Sequence, residues 1–178
     1  PDAYVITSKG HQKSIEFVGE IKIRRWQQIE DAYKIAIRND TVSAIGSGIA
    51  EAASFITEMD LQDNLLWEWK EVANLSNQLP GLNVLLLHGN KMQQISREIV
   101  EVFSSESLRG LKVLALNSCD IKSWKSIQLL EPFLTSIEEL YLALNDFSDL
   151  PITDNDSEIK AVSGFSTLRL LDLSECRI

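Results

Sequence analysis

The chain has 178 residues, 44 % of them hydrophobic, and a formal net charge of −9 at pH 7. That is enough apolar material for one folded domain with a sizeable core, and no apolar run approaches the roughly 18 residues of a membrane span. The acidity is uneven: residues 1–50 carry seven Lys/Arg against six Asp/Glu, and residues 51–178 carry ten against twenty, a surface that repels phosphate backbones and argues against nucleic acid as a partner.

In chain order, residues 1–31 come first and fit no repeat. "SIEFVG" (14–19) alternates Ile15, Phe17 and Gly19 like a short strand. Lys22, Arg24 and Arg25 beside Trp26 make only a short basic cluster, read as a solvated face. Because the end of a stacked array must be shielded from water, this region is expected to be an N-terminal cap.

From residue 32 onward one spacing recurs: apolar-x-x-apolar-x-apolar-x-x-Asn/Cys-x-apolar. A degraded copy runs through Ala32, Ile35, Ile37, Asp40 and Val42. Then come Ile56, Met59, Leu61, Asn64 and Leu66, followed by Leu82, Leu85, Leu87, Asn90 and Met92. Leu111, Leu114, Leu116, Cys119 and Ile121 make the next copy, and Ile137, Leu140, Leu142, Asn145 and Phe147 the one after it. Leu168, Leu171, Leu173, Cys176 and Ile178 complete the series. Successive Asn/Cys positions are 24, 26, 29, 26 and 31 residues apart, the signature of leucine-rich repeats. The expected fold is an α/β leucine-rich repeat solenoid: a parallel sheet on the concave side, helical returns on the convex side, about six repeats over 32–178. One domain should cover 1–178. The chain lacks an initiator methionine and closes on an apolar repeat position, so it reads as a segment of a longer protein.

The spacing gives the Asn/Cys residue a structural job. Where each strand turns, backbone groups are buried, and an amide can donate and accept across adjacent repeats. Cys119 and Cys176 both occupy this position, two repeats apart. With strands about 4.8 Å apart they are too far apart for a disulfide, and free thiols fit a reducing compartment.

The returns between strands carry helical periodicity. Residues 43–55 read as a small-residue helical return, in which Gly46 and Gly48 are too few for a phosphate loop. Residues 69–79 place Trp69, Val72, Leu75 and Leu79 on one face, stopped by Pro80-Gly81. Residues 95–108 offer Ile95, Ile99, Val102 and Phe103, and 124–134 offer Trp124, Ile127, Leu130 and Leu134 around a helix-breaking Pro132. The residue five past the Asn/Cys position is apolar each time, which makes Trp69 and Trp124 core residues. The last return, 148–165, holds Asp149, Asp154, Asp156 and Glu158. It lacks the glycine and the glutamate spacing of a calcium loop and reads as a solvated acidic insertion.

Catalytic constellations are poor. Histidines are confined to His11 and His88, and no nucleophile–base pairing or metal cluster is recognisable, so neither an enzyme nor a bound cofactor is expected. Outward strand positions lie two, four and six residues before the Asn/Cys position. In the middle repeats they present Val84, Leu86, Val113, Ala115 and Tyr141 as an apolar strip, with His88 and Asn117 as polar contacts. Apolar patches with charged rims mark protein partners, and these seven residues are the candidate partner-binding site.

The order of motifs then becomes specific. "IEFVG", "MDLQDNLLWEW" (59–69), "LKVLALNSCDIKSW" (111–124) and "IEELYLALNDF" (137–147) resemble the leucine-rich domain of the tubulin-folding cofactor E family, over roughly residues 15–178. Gln62 stands where that family tends to have serine. The resemblance implies a cytosolic, cytoskeleton-associated chaperone domain for α-tubulin, working with cofactors B, C and D in assembly and disassembly of the αβ dimer. It implies no catalytic residues. The alternative is another intracellular leucine-rich adaptor, of the phosphatase-regulator or GTPase-activating-scaffold type.

Overall fold

The computed structural model describes residues 4–14, 33–150 and 164–178. Residues 15–19 of the expected strand at 14–19, the basic cluster and the acidic residues Asp154, Asp156 and Glu158 lie outside them. The chain begins with an antiparallel hairpin of β1 (Tyr4–Thr7) and β2 (Gln12–Ser14). The first repeat strand, β3 (Lys34–Ala36), is followed by β4 (Val42–Ile45), which turns away from the repeat sheet to pair antiparallel with β1. Strands and returns then alternate: α1 (Ile49–Ala53), β5 (Glu58–Asp60), α2 (Trp69–Gln78), β6 (Val84–Leu86), α3 (Arg97–Val100) and β7 (Val113–Ala115). α4 (Trp124–Gln128), β8 (Glu139–Tyr141) and β9 (Leu170–Asp172) complete the series.

β3, β5, β6, β7, β8 and β9 form one six-stranded parallel sheet in that order. The register follows the repeat spacing. Lys34, Glu58, Val84, Val113, Glu139 and Leu170 lie in one row, and Ile35, Met59, Leu85, Leu114, Leu140 and Leu171 in the next. Alternate side chains point to opposite faces of a strand, so the second row turns inward, and Met59, Leu85, Leu114 and Leu140 are buried. Burying a leucine fully is worth about 1.5–3 kcal/mol, and no single repeat can achieve it without its neighbours. The two end members are not fully buried: Ile35 is half-buried, and Leu171 is 41 % exposed because no described strand covers its far side.

The Asn/Cys residues form the buried column that the spacing demands. Asn64 accepts from the amides of Asp40 and Val42 and donates to the carbonyl of Ile37. Asn90 accepts from Leu66 N–H and donates to Leu61 and Leu87 carbonyls. Asn145 accepts from Cys119 and Ile121 and donates to Leu116 and Leu142. The two cysteines are free; their thiols donate to the matching carbonyls, Cys119 to Leu87 at 3.2 Å and Cys176 to Leu142 at 3.1 Å. Burial pushes the Cys119 pKa up to about 12.

Two recurrent features lie outside the spacing read from the sequence. Ala53, Leu79, Leu108, Leu134 and Phe165, each eleven residues before an Asn/Cys position, are buried and close a tight turn onto the first apolar residue of the next strand. The residue just before each Asn/Cys position is left-handed: Asn39, Asp63, Gly89, Ser118, Leu144 and Glu175 have φ between 50° and 73°. At Gly89 (φ 73°) an added Cβ would lie 2.2 Å from Asp63 Oδ1, a side-chain atom that could move aside, so it is the backbone angle that favours glycine at this turn.

The returns are less helical than their periodicity suggests. Over 43–55 the expected helix shrinks to α1, because β4 is drawn into the hairpin sheet; a Cβ on Gly46 would sit 2.2 Å from the Tyr4 carbonyl. Only 69–79 forms a helix of the expected extent, as α2. In 95–108 the helix stops at Val100 and continues as tight turns, from Val102 N–H to Ile99 and from Phe103 N–H to Val100. The changed pitch leaves Val102 exposed and Phe103 buried. α4 ends at Gln128, four residues before Pro132, and tight turns still bring Leu130 and Leu134 inward. Trp69 and Trp124 are core residues as expected. Trp69 packs near Phe103 and Phe103 near Phe133, with Trp124 edge-on to Phe147 and Phe165.

Candidate functional site

The outward positions of the sheet form three rows across the strands. Val84 and Val113 are register partners in the first row, and Leu86, Ala115 and Tyr141 in the second. The strip named from the sequence is therefore contiguous. Val84, Leu86, Val113 and Tyr141 are half-buried and present apolar surface. Ala115 does not: it is fully buried, a methyl group flanked by Leu86 and Tyr141, and it serves as floor rather than contact surface.

The two polar candidates sit in the third row, near the strand ends. Asn117 is committed to the scaffold, its Oδ1 accepting from Ala143 N–H at 2.9 Å. His88 is half-buried, and burial lowers its pKa against the opposing pull of Asp60 and Asp63. Its imidazole is therefore neutral at pH 7 and offers one donor and one acceptor. The Tyr141 hydroxyl donates to Glu139 Oε2 at 2.7 Å, so its ring is fixed over the strand and its oxygen remains free to accept.

Charge brackets the strip. On the β3–β5 side Lys34 pairs with Glu58 at 3.3 Å, and Arg38 Nε donates to the buried Asp60 carboxylate at 2.6 Å. On the β8–β9 side stand Glu139 and Asp172, the latter accepting from Ser174 N–H at 2.9 Å. Sequence spacing alone placed these charges; the pairing of Asp60 with Arg38, two positions past β3, needed the three-dimensional register.

Among the described residues no group of three or more His, Cys, Asp or Glu could hold a metal ion, and no helix is long and apolar enough to cross a membrane. The geometry is that of a shallow surface suited to a macromolecule, with apolar centre and polar rim.

Six parallel strands stacked in register, with an Asn/Cys column behind them, define a leucine-rich repeat solenoid. No family model matches the chain. It is 33 % identical over 165 residues to human "Tubulin-specific chaperone E", covering 91 % of this chain and 29 % of that protein. It is 28 % identical over 177 residues to "Tubulin-folding cofactor E" of Arabidopsis thaliana, covering 98 % of this chain and 31 % of that one. The zebrafish (Danio rerio) "Tubulin-specific chaperone E" aligns at 29 % over 168 residues, or 93 % of this chain and 30 % of the relative. Among solved structures, an internalin from Listeria monocytogenes covers 75 % of this chain and 33 % of its own at a TM-score of 0.47 and 20 % identity; the fold assignment rests on the chain's own sheet. The chain is thus a homologue of tubulin-specific chaperone E over at least nine-tenths of its length, as the motifs at 59–69, 111–124 and 137–147 implied. It spans about three-tenths of the length of these relatives.

Proposed function

We propose that this chain is a protein-binding domain in tubulin folding, which holds α-tubulin against its concave strip and has no catalytic role of its own. The observation that carries the reading is the alignment of nearly the whole repeat array with tubulin-specific chaperones. The continuous row Leu86–Ala115–Tyr141, with half-buried apolar side chains at either end, supplies a surface of the right kind. Aromatic and aliphatic anchors at the centre of a patch carry most binding energy in protein interfaces. In this reading the domain acts in the cytoplasm in assembly and disassembly of the αβ dimer, alongside cofactors B, C and D.

The test is direct. The 178-residue chain, immobilised and offered purified αβ-tubulin, should retain it, and the separated subunits should partition towards α. A chain that retains neither the dimer nor α-tubulin overturns the reading.

A further inference from the structure

β8 and β9 present a pattern that the rest of the concave face lacks. Down β8 the outward strand residues are Glu139 and Tyr141, with Leu144 exposed at the turn that follows; down β9 they are Leu170 and Asp172, with Glu175 exposed at the equivalent turn. The register sets Glu139 beside Leu170 and Tyr141 beside Asp172, and Leu144 and Glu175 are the equivalent left-handed residues of their two repeats. At each of these three positions one apolar side chain therefore stands beside one acid across the two strands.

Three observations set these pairs apart. First, their apolar members are costly where they stand. Leu144 is 53 % exposed with φ 59° and Leu170 is 39 % exposed; a left-handed leucine is strained by roughly 1–2 kcal/mol. Second, their acids have no internal counterions. The acids at the other end, Glu58 and Asp60, are neutralised by Lys34 and Arg38. Among the described residues none of Glu139, Asp172 and Glu175 has an ion-pair partner, while the neighbouring cations Arg169 and Arg177 are engaged with Glu138 and Asp146 at 3.6 Å each. Third, two of the three acids are held in place: Glu139 by the Tyr141 hydroxyl and Asp172 by the backbone and side chain of Ser174.

We propose that this end of the concave face, where Leu170, Tyr141 and Leu144 stand beside Glu139, Asp172 and Glu175, docks a segment of a protein partner that carries Lys/Arg and apolar residues side by side. The inference rests on the binding reading above and adds to it the chemistry of the occupant and the end of the surface it takes. Uncompensated carboxylates steer and orient a cationic segment, and the apolar side chains beside them bury its aliphatic residues. A purely apolar segment would leave three carboxylates desolvated without partners, which is unfavourable.

The probes are a synthetic peptide Gly-Ser-Arg-Leu-Arg-Leu-Arg-Ser-Gly and its counterpart with Glu for Arg, titrated into the isotopically labelled chain and followed by NMR. The arginine peptide should shift amides of 139–144 and 170–175, bind more weakly as salt is raised, and lose about tenfold in affinity against the variant Glu139→Gln, Asp172→Asn, Glu175→Gln. Those amides retain the acceptors for Tyr141 and Ser174, so the fold should persist; an unchanged amide spectrum elsewhere verifies that. Shifts confined to other surfaces, equal binding by the triple variant, or equal binding of the glutamate peptide overturn the proposal. Immobilised αβ-tubulin separates the two readings. Full retention of the triple variant overturns this placement and leaves tubulin binding intact; loss of tubulin retention by the wild-type chain, with the peptide result standing, overturns the tubulin reading alone.

Discussion

Asn90 has no solvent exposure, and its amide is used in both directions, which makes it the most informative single residue of the scaffold. Cysteine replaces asparagine at 119 and 176 and can donate but hardly accept. The structure shows the compensation: Leu66 N–H goes to the Asn90 side chain, whereas the equivalent Met92 N–H goes to the Cys119 backbone carbonyl at 3.0 Å. Asn90→Ala should therefore destabilise the fold by about 2–4 kcal/mol, since buried partners are left unsatisfied. Asn90→Cys should cost visibly less. Urea unfolding curves superimposable on wild type for the alanine variant would remove the column's stabilising role. The same burial makes the Cys119 thiol, with its pKa near 12, inert: alkylation of the native chain at pH 8 should label the half-buried Cys176 first. The column was legible in the sequence because its spacing repeats. Ala115 was not, because its exposure is set by Leu86 and Tyr141 on neighbouring strands. Nor were the left-handed turns, where only Gly89, Asn39 and Asp63 belong to types that favour that conformation.

Among the elements, strand register could be read from sequence and the extent of each return could not. Strands are fixed by a two-residue alternation that recurs in every repeat, so a slip would turn every inward leucine outward. A return need only bring a few apolar residues inward, and helical turns and tighter turns both do so, as Phe103 and Leu130 show. Capping decides where such short helices start. Asp149, expected as part of a solvated acidic stretch, instead accepts from Ser123 Oγ at 2.6 Å and from Trp124 N–H at 2.8 Å, closing the start of α4 from the following repeat. Burial works to raise its pKa, but these hydrogen bonds and that from the Lys125 amide outweigh it, and the carboxyl titrates below its ordinary value. A carboxylate with a depressed folded pKa stabilises fully above its unfolded value and ceases to as pH falls through the folded one. The melting temperature of wild type should therefore exceed that of Asp149→Asn from pH 5 to 7. The gap should close as the pH drops below about 3.8, the ordinary carboxyl value. A gap constant down to pH 2 would mean the charge is not what caps α4.

At the scale of the whole molecule the sheet divides two duties between its faces, and that division can be measured. Leu87 is fully buried in the core at the same repeat position as Leu61 and Leu116, which are buried too; Tyr141 stands half-exposed on the concave side. Leu87→Ala should lower stability by about 2–5 kcal/mol through the cavity it leaves, and in a stacked array the loss reaches the repeats on both sides, which depend on each other's faces. Its effect on a partner should be indirect and should vanish under conditions where the variant is fully folded. Tyr141→Ala removes no core contact, so unfolding should change little, while affinity for αβ-tubulin should fall by about 1–3 kcal/mol, the range of an interface anchor. Adding Leu86→Glu places a charge at the other end of the row across the buried Ala115 methyl, and the double variant should abolish measurable binding with its melting temperature nearly unchanged. Titration calorimetry paired with thermal unfolding reads both quantities on one preparation. Should the double variant bind as wild type does while remaining folded, the concave strip is not the interface, and the exposed Leu65 and Trp67 on the edge beyond Asn64 become the apolar surface to test next.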